Sequence, residues 1–174
     1  SFARVLLTVG LGVLLVSAVR ATRQVVIPLW CTHIGLDEQS TSAIYGIAGG
    51  IDMLVFYPAG KVMDVRGRAA VAVPSMLIMA AALVALPFAH TFAAVLAASC
   101  ALGFGNGIGS GMVMTLGADF SPDVGRAPFL GLWRQLSDTG STIGPLALSG
   151  MTALAGLSAA VVVNAIFGVL AAAM

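Results

Sequence analysis

A short charged segment lies between two long apolar stretches of this sequence. Residues 61–68 contain four charged side chains, Lys61, Asp64, Arg66 and Arg68. Insertion scales put the cost of one charge at the centre of a bilayer at roughly 2.5–3.5 kcal/mol, so this cluster cannot lie in the hydrocarbon region. We therefore predict a membrane protein in which the segment forms a loop at the water interface.

The composition agrees with a surface that faces lipid. Hydrophobic residues make up 59% of the chain and charged residues only 9%, whereas a soluble domain usually has about 25% charged residues. The formal net charge of +1 provides no electrostatic basis for binding a nucleic acid. We expect the lipid bilayer to be a partner and nucleic acid not to be one. Because the chain starts at Ser1 and stops at Met174 inside an apolar run, we also expect it to be a piece of a longer protein.

The apolar stretches have the length of membrane-spanning helices. A helix needs roughly 20 residues to cross the hydrocarbon core, and a span in lipid must satisfy its own backbone hydrogen bonds. We place six helices near residues 3–28, 41–63, 69–89, 92–118, 128–152 and 156–174. The prediction is an all-α membrane protein in which residues 1–174 form a single domain of six transmembrane helices.

The loop charges predict an orientation. The loop cations, which all fall on one side of the predicted membrane, are Arg4, Lys61, Arg66, Arg68 and Arg126. The loops on the other side contain His33, Asp37, Glu38 and His90, and no Lys or Arg. Since short cytoplasmic loops are enriched in Lys and Arg, we predict that the basic side and both chain ends are cytoplasmic. Trp30 is expected at the outer interface.

Two motifs resemble elements of the major facilitator superfamily. The pattern Gly60-x-x-x-Asp64-x-x-Gly67-Arg68 resembles the family's signature for the loop between the second and third helices of a six-helix half. Residues 140–145, with Gly140, Gly144 and Pro145, resemble the Gly-x-x-x-Gly-Pro element in the fifth helix of its antiporters.

Further segments favour one half of such a transporter. Residues 102–107 have the glycine spacing of another family element, but the arginine expected a few residues earlier is absent. Residues 57–61 and 129–134 look like carboxy-terminal halves of bacterial drug-transporter-like members. The resemblance therefore implies the carboxy-terminal six-helix half of a twelve-helix transporter.

The resemblance implies a fold and an activity. Such a half is built from two inverted three-helix repeats, and two halves enclose a cavity that opens to alternate sides. The implied function is secondary active transport, with proton-coupled export of an amphiphilic or drug-like compound as the leading hypothesis. Implied partners are a small-molecule substrate, protons and the missing amino-terminal half, and the implied location is the bacterial inner membrane. The alternatives are uptake of a sugar or metabolite, and a membrane scaffold or receptor component that does not transport.

Polar residues within the predicted spans are candidates for substrate binding or coupling, because such residues are costly in lipid. Arg20 and Asp52 fall at depths that allow an ion pair between the first two helices. Their pair would bind a charged substrate or change partners during transport, unless it is purely structural. Gln24 and Asn106 are further candidates, whereas Arg23 is expected to extend to the outer surface.

Arg134 and Asp138 in the fifth helix are four residues apart and therefore share a face. We prefer Asp138 as a cavity residue, since Arg134 is shallow enough to reach the cytoplasmic surface. A desolvated carboxylate could carry a proton, whereas a permanent pair with Arg134 would keep it ionised. Both interpretations stay open.

The loop signature Gly60, Asp64, Gly67 and Arg68 is a candidate latch on the cytoplasmic side. Asp64 is expected to cap a nearby helix amino terminus, and Gly67 to permit a tight turn. Arg68 is expected to reach lipid headgroups or a neighbouring carboxylate. The alternative is a general contact of basic residues with anionic lipid.

The glycines predict close helix packing. Gly103, Gly107 and Gly111 repeat at four-residue spacing, as do Gly140 and Gly144, and such small residues let membrane helices approach. Pro145 is expected to add a bend. The chain offers no cofactor site, no catalytic arrangement and no metal-ligand spacing, so we do not expect an enzyme. Cys31 and Cys100 fall in different segments and suggest neither a disulfide nor a metal site.

Overall fold

The computed structural model describes residues 2–173, and its regular elements are helices. The seven α-helices of this part of the chain are α1 (Phe2–His33), α2 (Glu38–Arg66), α3 (Ala69–Ala85), α4 (Phe92–Gly109), α5 (Met112–Phe120), α6 (Arg126–Ala155) and α7 (Leu157–Ala173). A 3₁₀ turn, Leu86–Phe88, extends α3. The prediction of an all-α protein is confirmed for the described residues.

Four segments of the described chain are long and apolar enough to cross a membrane. They are Ala3–His33, Glu38–Arg66, Ala69–Phe88 and Phe92–Phe120. The helix α7 is apolar but only 17 residues long. The helix α6 has 30 residues but contains Arg126, Arg134 and Asp138 together with many Gly, Ser and Thr residues, which lower its mean hydropathy.

The helix ends differ from the predicted ones at two informative places. The first helix includes Pro28 and continues to His33, five residues beyond its predicted end near residue 28. The fourth predicted span, 92–118, is interrupted between α4 and α5 at Ser110 and Gly111. Gly111 has a φ of 82°, a left-handed conformation that a residue with a β-carbon rarely adopts. The chain can therefore turn at Gly111 and start a new helix.

Glycines pack two pairs of helices at backbone distance. On α4, Gly103 and Gly107 lie so close to α2 that a β-carbon would overlap the carbonyl groups of Ala48 and Asp52. On α6, Gly140 and Gly144 approach α1 in the same way, at the carbonyl groups of Leu14 and Ala18. Residue numbers rise together along both contacts, so the helices of each pair are parallel. Close packing by these glycines is confirmed.

The interior of the bundle is apolar. Its largest fully buried side chains include Ile27, Ile44, Met79 and Leu102 from four different helices. Trp30 is also buried, with 1% of its surface exposed, and its indole Nε1 donates a hydrogen bond of 2.8 Å to the carbonyl oxygen of Ala89. The indole therefore packs inside the protein, and its expected position at the outer interface stays a prediction. The carbonyl oxygen of Ala89 gives the indole N–H of Trp30 a hydrogen-bond partner inside the protein.

The two ends of the bundle have different charge. The end that contains Lys61, Arg66, Arg68 and Arg126 is called the basic end below. The start of α1 lies there too, because Thr8 lines an apolar cavity of about 440 Å³ together with Arg68 and Phe120. At the opposite end, the rings of His33 and His90 lie 5.1 and 6.3 Å from the ring of Trp30, measured between centroids.

Candidate functional site

A cavity of about 670 Å³ lies between α1, the junction of α4 and α5, and α6. Its polar lining comes from Ser17, Arg20, Arg23, Gln24, Asn106, Arg134, Ser137, Asp138 and Ser141. Its apolar lining includes Val25, Val113, Met114, Leu130 and Trp133. The cavity therefore offers a binding surface for a molecule that has both an apolar body and a polar or charged group.

Four polar side chains form one network beside this cavity. Arg20 donates from Nε to Oδ1 of Asn106 at 2.8 Å. The amide Nδ2 of Asn106 then donates to Oδ2 of Asp52 at 2.6 Å. The same carboxylate oxygen accepts a hydrogen bond of 3.1 Å from Nη2 of Arg23. Asn106 therefore lies between Arg20 and Asp52 and is hydrogen-bonded to both side chains.

The predicted ion pair between Arg20 and Asp52 is wrong, because Asp52 pairs with Arg23. Arg23 is 8% exposed and so does not extend to the surface. The reason lies in the packing of α2 against α4: Gly107 contacts the backbone of Asp52, which brings the neighbouring Asn106 into the space between Asp52 and Arg20. Arg23 follows Arg20 by three residues and shares its helix face, which is the signal that could have identified it.

The break between α4 and α5 is part of the cavity wall. Nη1 of Arg20 donates a 3.3 Å hydrogen bond to the carbonyl oxygen of Gly109 at the end of α4. That interaction gives a partner to a carbonyl at a helix end, where helical acceptors are otherwise unpaired. On the other side of the break, Gly111, Val113 and Met114 line the cavity, so the amino end of α5 borders the same space.

The fifth predicted helix contributes both Arg134 and Asp138 to the cavity lining, whereas the sequence led us to prefer Asp138 alone as a cavity residue. Nε of Arg134 lies 3.5 Å from Oδ1 of Asp138, and their side chains are 65% and 62% exposed. Ser137 reaches α1, where its Oγ lies 2.9 Å from Oγ of Ser17. Pro145 lines the cavity as well. The sequence did not identify Ser17, Ser137 or Trp133, since lone Ser and Trp residues in a membrane helix carry no distinctive pattern.

A second cluster of charges lies at the basic end. Arg68 binds Asp119 through two contacts, Nε to Oδ2 at 2.8 Å and Nη2 to Oδ1 at 3.4 Å. Its Nη1 lies 3.4 Å from Oδ1 of Asp64. These carboxylates, and the hydrogen bonds to Asp119 above all, raise the pKa of Arg68. Arg68 thus joins the loop after α2 to the end of α5.

The role predicted for Asp64 is wrong in one respect. Asp64 does not cap a helix: its carboxylate binds Arg68, and α3 begins after Arg68 without a side-chain cap. The carboxylate partner expected for Arg68 is confirmed. Gly67 ends α2 with a φ of 89°, in agreement with the predicted tight turn. A β-carbon on Gly60 would meet no atom within 4 Å, so packing does not require glycine there.

The other polar side chains do not form a metal site. Within residues 2–173, no group of three or more His, Cys, Asp or Glu side chains is placed to hold a metal ion. Cys31 and Cys100 are free thiols.

No curated protein matches the chain. The sequence model of the Major Facilitator Superfamily matches residues 9–174. That match covers well over half of the chain and agrees with the loop signature and the membrane-spanning helices. The chain therefore belongs to the Major Facilitator Superfamily and is an integral, multi-pass membrane transporter.

Proposed function

We propose that this protein is a secondary active transporter that exports an amphiphilic, drug-like compound in exchange for protons. The observation that carries the proposal is the cavity of about 670 Å³, in which apolar side chains face a set of charged and amide groups. A cavity of this size and mixed lining suits a small molecule. The bacterial drug-transporter-like subtype suggested by residues 57–61 and 129–134 is part of the same proposal.

The cavity lining argues against a purely structural role in a scaffold. A scaffold would bury its intramembrane polar groups in closed pairs, since unpaired ones are costly in lipid. The pair of Arg23 and Asp52 fits that description, with 9% and 19% of the side chains exposed. Arg20, Asn106, Arg134 and Asp138, however, line the cavity together with Arg23, where water or substrate can reach them.

We propose that the chain forms six spans arranged as two inverted repeats of three helices. In that arrangement, α1 to α3 form one repeat, and the second consists of α4 with α5, α6 and α7. A symmetry between the repeats would make the contact of α1 with α6 equivalent to that of α2 with α4. Both contacts are extensive, and both use two glycines, four residues apart, in parallel helices.

We further propose that this bundle is the carboxy-terminal half of the transporter and that an amino-terminal half covers the cavity. The helix α2 presents Met53, Leu54 and Tyr57 with 80%, 78% and 69% of their surfaces exposed, and such a face suits lipid or a second bundle. Rocking of two halves around a central site would open the cavity to alternate sides. The charge of the basic end supports a cytoplasmic location for that end and for both ends of this chain in the bacterial inner membrane.

Asp138 is the proton-carrying group in this proposal. Its carboxylate lines the cavity and has only a long contact to an exposed Arg134. Asp52 is a weaker candidate because its carboxylate already accepts hydrogen bonds from two donors, Arg23 and Asn106. Closure of the cavity would desolvate Asp138 and favour its protonation.

The cluster of Arg68 with Asp64 and Asp119 acts as a latch in the same scheme. It joins the loop after α2 to the end of α5 at the basic end, and the two carboxylates give the guanidinium a charge-assisted contact on both sides. Breaking it would free the fourth span to move during the cycle.

Flux measurements on the full-length protein in liposomes test the function. An imposed pH gradient should drive efflux of a fluorescent amphiphile, and a protonophore should abolish this stimulation. The variant Asp138→Asn should keep downhill flux but lose the response to the gradient. Asp123→Asn, which removes a carboxylate from the exposed loop before α6, should respond as the wild type does.

Three results would contradict the proposal at different levels. An efflux rate indifferent to the gradient would exclude proton exchange. Accumulation in the opposite direction would favour uptake of a metabolite. Absence of any protein-dependent flux would favour a scaffold.

A further inference from the structure

The charges beside the cavity do not balance. Two guanidinium groups, those of Arg20 and Arg23, lie near the single carboxylate of Asp52, which pairs directly with Arg23. The other cavity cation, Arg134, has its own carboxylate in Asp138. Among the residues that the structure describes, Arg20 takes part in no ion pair.

The contacts of Arg20 are all to neutral groups. Its Nε donates to the amide oxygen of Asn106 and its Nη1 to the carbonyl oxygen of Gly109. These bonds hold the guanidinium in place without an ion-pair partner. The carboxylate of Asp52 attracts it electrostatically but is in direct contact with Arg23 instead. The side chain lines the cavity, so a molecule inside it can approach the guanidinium.

A guanidinium without an ion-pair partner within membrane helices is costly, and such a residue usually meets a counter-ion. The first turn of α5 borders the same cavity, and the positive end of its helix dipole has the same sign as Arg20. The surrounding wall contains Trp133, Leu130 and Met114, which suit an apolar ring or chain. The site thus combines one net positive charge with an apolar surface.

We infer that the cavity binds an amphiphilic organic anion, with its carboxylate or similar group on Arg20 and its apolar part against Trp133. This inference rests on the proposed function, because it names the charge class of the substrate for the same cavity. It also sets this protein apart from a transporter of cationic amphiphiles, which the net charge of the site would repel. A planar guanidinium suits a carboxylate because it offers two parallel donors.

A charge series on one ring system tests the inference with the full-length protein in detergent. The probes are naphthoate, naphthamide and naphthylmethylammonium, and binding is measured by equilibrium dialysis. The wild type should bind the anion at least about tenfold more tightly than the amide, the effect expected for a hydrogen bond to a charged group. The cation should bind most weakly.

Variants assign the preference to one residue. Arg20→Gln should lose the roughly tenfold preference for naphthoate, whereas Arg20→Lys, which retains the charge, should keep part of it. Arg66→Gln removes the same charge from the exposed carboxy-terminal residue of α2 at the basic end and should leave the preference intact. If Arg20→Gln does not fold, the lysine variant and the wild-type series still decide the question.

Equal binding of the three probes by the wild type would overturn the inference, as would an unchanged preference in Arg20→Gln. Selective binding of naphthoate without gradient-driven flux would support the anion site and contradict the proposed export. Gradient-driven export of the cation would support transport and contradict the anion site.

Discussion

Gly144 of α6 touches the backbone of Ala18 in α1 so closely that no side chain fits between them. A β-carbon at this position would overlap the carbonyl group of Ala18, which belongs to a neighbouring helix and cannot rotate away. The absence of a side chain at residue 144 therefore determines the distance between α1 and α6.

Substitution of this glycine should separate the two helices. We expect Gly144→Ala to lower the free energy of unfolding by about 1–3 kcal/mol, the usual cost of overpacking, with a matching fall in the melting temperature in detergent. Gly150→Ala is the control, because a β-carbon there meets no atom within 4 Å and alanine favours a helix over glycine by up to about 1 kcal/mol. Equal melting temperatures for the two variants would show that the contact is not tight.

Removal of the carboxylate of Asp52 should destabilise the protein strongly. Asp52→Asn leaves the buried guanidinium of Arg23 without its ion-pair partner. Breaking a buried pair in this way lowers the free energy of unfolding by about 3–5 kcal/mol. Asp138→Asn should change stability little, since Arg134 and Asp138 are both exposed. Thermal unfolding of both variants measures the difference. A stable Asp52→Asn protein would contradict the pairing.

The latch at the basic end should respond to the loss of either partner. Arg68→Gln and Asp119→Asn each remove the contact of 2.8 Å between the loop and the end of α5, and both should shift the conformer population in the same direction. The double variant should shift it no further than the single ones, because the same contact is already lost. Spin-label distances across the basic end provide the measurement. Arg66→Gln should leave the distances unchanged.

The start of α2 should show a pH dependence. The carboxylate of Asp37 accepts a hydrogen bond from the backbone N–H of Ser40, and its hydrogen bonds to Ser40 lower the pKa of Asp37. A lowered pKa in the folded protein means that the cap stabilises it above the unfolded pKa of about 3.9. That contribution is lost as the pH falls through the folded value.

The measurement compares two capping residues. Asp37→Ala should lower the melting temperature at neutral pH, and the difference from the wild type should shrink as the carboxylate is protonated. Thr91 caps α4 through its neutral hydroxyl, so Thr91→Ala should lower the melting temperature at every pH. A pH-independent effect of Asp37→Ala would contradict the role of its charge.

The sequence predicted the helices and their glycine contacts better than the partners of the charged residues. Helix positions follow from apolar length, and the four-residue spacing of Gly140 and Gly144 indicates packing without any knowledge of the partner. Which arginine pairs with Asp52 depends on the register between α1, α2 and α4, and spacing within one helix does not contain that register. Arg23 was therefore missed, and Asn106 was identified only as a polar candidate.

The position of the break after α4 also could not be predicted from the sequence. Five glycines occur between residues 103 and 111, and each of them permits a turn. In the structure, Gly103, Gly105, Gly107 and Gly109 remain helical because they pack against α2 or α3. The positive φ falls on Gly111, where a β-carbon would meet nothing nearer than 3.7 Å. Tertiary contacts thus decide at which glycine the fourth span is interrupted.

The parallel glycine contacts have a mechanical consequence. Two helices in backbone contact resist bending more than a single helix does. The pair α1–α6 and the pair α2–α4 therefore behave as stiff units. The flexible point is the short link at Ser110 and Gly111. There the helical hydrogen bonds of the fourth span are interrupted, and no backbone atom of another helix lies within 4 Å of a β-carbon on Gly111. Deformation of this bundle therefore concentrates at one wall of its cavity, beside the guanidinium of Arg20.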